Sequence, residues 1–82
     1  MAYTVAILGA GRLGSVVARR LPEDTGKIIF DVQADKGRHL ADAVRGYFTP
    51  VLEGVKDADL IIIALPAPAM AATVESLLGF VK

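Results

Sequence analysis

The chain has 82 residues, no cysteine, and nine basic against nine acidic side chains, a formal net charge of zero. That length holds one small domain at most, and the missing cysteines exclude disulfides and thiolate-held metals. Scattered rather than clustered basic residues argue against nucleic acid or an anionic membrane as a partner.

The first six residues after Ala2, Tyr3 to Leu8, are apolar and partly β-branched and predict a buried parallel strand. Leu13, Val16, Val17 and Leu21 then recur at helical spacing, predicting a helix with one apolar stripe that Pro22 ends. Glu23 to Gly26 reads as a polar turn, and Lys27 to Val32 as a second strand. Asp35 to Gly46 predicts a weaker helix with Leu40, Ala41 and Val44 inward, Gly37 lowering its propensity. Tyr47 to Val51 reads as a short strand that Pro50 confines to an edge. Glu53 to Asp59 is a polar connector with room for one helical turn. The unbroken apolar run Leu60 to Leu65 predicts a strand covered on both faces. Pro66 stops it, and Pro68 suits the first turn of a last helix with Met70, Val74, Leu77, Leu78 and Val81 on its apolar side. Strand and helix alternate throughout, which predicts an α/β fold with a parallel sheet of order 3-2-1-4 and helices on both faces.

Between the first strand and the first helix stands Gly9-Ala10-Gly11-Arg12-Leu13-Gly14. A G-x-G-x-x-G string in that position is the phosphate-binding turn of a dinucleotide fold. Gly9 permits the tight turn, Gly11 lets backbone approach a pyrophosphate, and Gly14 allows close helix packing. The helix then aims its free N–H groups and positive dipole end at the phosphates. Asp31 follows Gly9 by 22 positions, at the end of the second strand. A carboxylate about 20 residues after the glycines accepts hydrogen bonds from the adenosine ribose and repels a 2′-phosphate. This favours NAD over NADP, although Lys36 and Arg38 stand close enough to keep NADP open. Ala64, Leu65 and Pro66 lie at the carboxyl end of the last strand, where ligands of such sheets bind.

Other residue types carry less. His39, the single histidine, lies on the weak helix away from the expected hydride site and reads as a surface residue. Glu53, Asp57 and Asp59 read as a solvated connector rather than a metal site. The five aromatics read as packing residues. Ser15 and Ser76 have no histidine within arguable reach, so no nucleophile is assigned and no catalytic residue is expected within the chain. Lysine is missing after Gly14, which removes a nucleotide-hydrolase phosphate loop. An acidic residue is missing before Gly9, which disfavours a methyltransferase.

The strings Thr4 to Gly14 and Asp57 to Pro66 together resemble the N-terminal domain of 6-phosphogluconate-dehydrogenase-like oxidoreductases. That group includes prephenate dehydrogenase, pyrroline-5-carboxylate reductase and 3-hydroxyisobutyrate dehydrogenase. The resemblance covers nearly the whole chain. It implies pyrophosphate contact at the backbone of Ala10 to Leu13, a ribose at Asp31, and a nicotinamide-side path lined by Ala64, Leu65 and Pro66. It also implies a substrate bound by sequence outside the 82 residues.

The chain is accordingly expected to be the N-terminal part of a longer enzyme, with homo-oligomers formed through that further part or the open strand edge. Its hydrophobic fraction of 54% points the same way. Neither a signal peptide nor a membrane span is read, so a cytoplasmic location is expected. A non-catalytic NAD(H)-binding or redox-sensing module and an FAD-binding domain remain as alternatives, since each uses the same glycine turn.

Overall fold

A computed structural model describes residues 3–79. In chain order these form β1 (Thr4–Leu8), α1 (Arg12–Arg20), β2 (Gly26–Phe30), α2 (Ala34–Val44) and β3 (Tyr47–Thr49), then a 3₁₀ turn (Leu52–Val55), β4 (Leu60–Ile63) and α3 (Ala67–Leu78). The sheet has the order β3-β2-β1-β4 with every pair parallel, as the alternation predicts. β1 is central: Ala6 is in register with Ile28 on one side and Ile61 on the other.

Period-two alternation along β1 feeds two apolar layers. Val5 and Ile7 pack with Ile29 beneath α1 and α2, where Ala18, Leu40 and Ala41 are buried. Ala6 and Leu8 face the opposite layer, closed by Val55 of the 3₁₀ turn and Leu77 of α3. Burying each large aliphatic side chain here contributes about 1.5–3 kcal/mol. At the start of β4, Asp59 accepts the N–H of Thr4 at 2.7 Å, and its own N–H donates to the Thr4 carbonyl at 2.8 Å. This pair of bonds sets the β1–β4 register.

Several sequence expectations shift. β2 runs from Gly26 to Phe30 rather than Lys27 to Val32, because the Asp31 carboxylate takes the Gln33 N–H and turns the chain out of the ladder. The inward face of α1 is Gly14, Val17, Ala18 and Leu21; Leu13 and Val16 are exposed. Small residues at 14 and 18 let the helix lie close, and the stripe rotates to place them inward. β4 is the edge strand, so Ile61 to Ile63 are half-buried and Leu60 is exposed, where cover on both faces was expected. Along α3, Leu77 is buried whereas Met70, Val74 and Leu78 are exposed. The expected position Val81 lies outside the described residues. No helix among the described residues is long and apolar enough to cross a membrane.

Candidate functional site

Three segments meet at the carboxyl end of the sheet: the turn Gly9 to Gly14 after β1, Asp31 after β2, and Ala64 to Pro66 after β4. Gly9 has φ +111°, a conformation that side chains rarely adopt, and its N–H donates to the Phe30 carbonyl at 2.8 Å. A Cβ there would strike the Ala64 carbonyl and lie 3.1 Å from Leu65 Cδ2. The glycine turn and the β4 exit are thus in direct contact. A Cβ on Gly14 would run into the Gly9 carbonyl oxygen, so this glycine lets the first turn of α1 rest on the loop itself.

Gly11 differs from both. Its φ of −77° suits any residue, and a Cβ built on it meets nothing within 4 Å. Neither backbone conformation nor packing against protein explains a glycine here. The space left open lies at the start of α1, where the N–H groups of Gly11, Arg12 and Leu13 find no acceptor among the described residues. Helix N-termini leave such donors free, and with the helix dipole they attract anions. The residues present therefore fit a phosphate group brought close to backbone at Gly11. The Arg12 and Leu13 side chains are both exposed beside that opening.

Ala10 departs from its expected part. Its N–H is committed to the protein, donating to Asp31 Oδ2 at 2.7 Å, so the free donors begin at Gly11. Asp31 is half-buried, and its other oxygen accepts the Gln33 N–H at 2.7 Å. This second bond closes a short side-chain turn that leaves Val32 88% exposed at its tip. The Asp31–Ala10 bond escaped sequence reading because it depends on where β2 ends, which no periodicity fixes.

Of the two cations near this corner, Arg38 lies over the Phe48 ring, 5.4 Å from its centroid. Gly37, which by propensity only weakens α2, makes that corner possible: a Cβ on it would collide with the Phe48 ring. Lys36 and His39 are exposed on α2. No group of acidic or histidine side chains able to hold a metal ion occurs among the described residues.

A parallel sheet of order 3-2-1-4 with a glycine turn after β1 and a carboxylate at the end of β2 defines a Rossmann-type α/β domain. The chain belongs to the family described as NADP oxidoreductase, coenzyme F420-dependent, whose model matches residues 4–80.

Solved structures share the fold. A putative NADP oxidoreductase from Bacteroides fragilis superposes with a TM-score of 0.83 at 21% identity, over 99% of this chain and 33% of its own. The UDP-N-acetylglucosamine 3-dehydrogenase of Acidithiobacillus ferrooxidans gives 0.77 at 21% identity, over 96% of this chain and 27% of that one. The myo-inositol dehydrogenase of Lactobacillus casei, solved with NAD(H) and myo-inositol, gives 0.79 at 19% identity, over 96% and 26%. The chain thus spans between about a quarter and a third of the length of these structures. Comparison with curated proteins gives no match.

Proposed function

We propose that the chain is the cofactor-holding part of a dehydrogenase or reductase, with NAD preferred over NADP. The observation that carries this is the opening at Gly11, a glycine that nothing in the protein requires, beside free N–H groups and a strand-end carboxylate. Gly11, Arg12 and Leu13 would hold the pyrophosphate and Asp31 the adenosine ribose. Ala64, Leu65 and Pro66 would border the path to the nicotinamide, with Gly9 and Gly14 shaping the turn and Ala10 tying it to Asp31. A bound nicotinamide would supply the hydride donor or acceptor.

The preference for NAD rests on charge around Asp31. Its carboxylate and that of Asp35, in the first turn of α2, disfavour a 2′-phosphate, and Arg38 is engaged on Phe48. The family's description names NADP, and the preference for NAD rests on the residues of this chain alone. Neighbours of the same fold are three to four times longer, which supports a small-molecule substrate and acid–base group supplied from outside these 82 residues. A cytoplasmic setting and assembly of copies through that further part or the β4 edge complete the reading.

Titration of wild type and Asp31→Ala with both cofactors tests the ribose contact. The substitution should weaken NADH at least about tenfold, the worth of hydrogen bonds to a charged group. NADPH should lose much less, since a repulsion is removed with the contact. Equal losses for the two would contradict it.

A further inference from the structure

We propose that Asp31, besides receiving a ribose, clamps the glycine turn into the shape that takes a pyrophosphate, so that one side chain sets both halves of the site. The proposal rests on the dinucleotide reading above. Both Asp31 oxygens are in short, charge-assisted bonds at 2.7 Å, Oδ2 from the Ala10 N–H and Oδ1 from the Gln33 N–H. One end of the carboxylate is therefore fixed to its own turn, and the other reaches 21 residues back along the chain.

The turn needs that fixture. Gly9 N–H bonds to the Phe30 carbonyl, and Gly9, at φ +111° and without a Cβ, has wider backbone freedom than a residue with a side chain. Ala10 is the next residue, and the direction of its N–H sets where the N–H groups of Gly11, Arg12 and Leu13 point. Each carboxylate oxygen offers about two acceptor sites. Engaged once each by backbone, they keep capacity for ribose hydroxyls, so the two tasks do not compete.

An amide cannot substitute. Asparagine has one acceptor oxygen, and its NH₂ would face one of the two N–H groups. The sign of the effect on a phosphate ligand separates the clamp from a plain charge. A carboxylate beside an anion site repels the anion, so removing it should tighten binding if charge alone acted. Under the clamp, removal loosens the donors and weakens binding.

Amide hydrogen exchange by NMR on the ligand-free chain, together with titration of inorganic pyrophosphate, tests this. In wild type the Ala10 N–H should exchange at least about tenfold more slowly than the Gly11 N–H, which has no acceptor. Asp31→Ala should erase most of that protection and weaken pyrophosphate severalfold; Asp31→Asn, with one acceptor oxygen, should lose one of the two backbone bonds and weaken pyrophosphate as well. An unprotected Ala10 in wild type overturns the proposal even if neither variant folds. Unchanged Ala10 exchange in a folded Asp31→Ala variant, or pyrophosphate bound as well or better by it, overturns it too. Failure of wild type to bind NADH strikes the cofactor reading instead, because the exchange is measured without ligand.

Discussion

Gly9, Gly11 and Gly14 occupy one short turn for three different physical reasons, and substitution separates them. Alanine at Gly9 would combine a positive φ with a collision against the Ala64 carbonyl, and alanine at Gly14 would meet the Gly9 carbonyl. Both should lower stability by about 1–3 kcal/mol, read as a fall in the midpoint of thermal unfolding. For Gly14 this reverses the usual gain of about 1 kcal/mol for alanine over glycine inside a helix. Gly11→Ala meets open space, so its cost is that of a poorer N-cap, under about 1 kcal/mol, while NADH affinity should fall at least about tenfold. Normal affinity in a folded Gly11→Ala variant would contradict close cofactor approach at that residue. Gly9 and Gly14 were legible in the sequence because they record steric need within the fold. The commitment of the Ala10 N–H to Asp31 was not, because it joins positions 21 apart across two strands.

At the scale of elements, type and order were legible and orientation was less so. The strands declare themselves through β-branched runs, and their order follows from right-handed crossovers. On α1, Val17 and Leu21 face inward as expected, whereas Leu13 and Val16 do not, because apolarity, the sequence signal, and closeness, the packing requirement, select different residues. Gly14 and Ala18 lie inward where the helix is nearest, leaving Leu13 and Val16 outside. α2 ends with Arg45 in the left-handed conformation, φ 56°, and Gly46 N–H closes the end on the Ala41 carbonyl at 2.7 Å. Glycine at position 45 would relieve a left-handed strain of about 1–2 kcal/mol and lose part of that to greater freedom when unfolded. Arg45→Gly should therefore stabilise by up to about 1 kcal/mol in denaturant unfolding, and a clear loss would show that the Arg45 side chain holds the end of α2 in some other way.

For the whole molecule, a radius of gyration of 11.5 Å matches the roughly 11.7 Å expected of a compact domain this long. The four-stranded sheet has apolar layers on both faces and two edge strands, β3 and β4, among the described residues. β4 has β1 as its single strand neighbour among the described residues, and Leu60 and Leu78 on β4 and α3 are exposed. Apolar side chains beside an open strand edge invite pairing, and lysine there discourages it. In sedimentation velocity the chain should self-associate as concentration rises, and Leu60→Lys with Leu78→Lys should shift it toward monomer; no change on substitution would place the contact elsewhere. The central claim, that this domain holds NAD, is tested most directly by calorimetric titration of the wild-type chain with NADH and NADPH. The account predicts saturable binding of one molecule per chain, with NADH at least about tenfold tighter, the worth of about 1.4 kcal/mol. Failure of the folded chain to bind either, or tighter binding of NADPH, would contradict it.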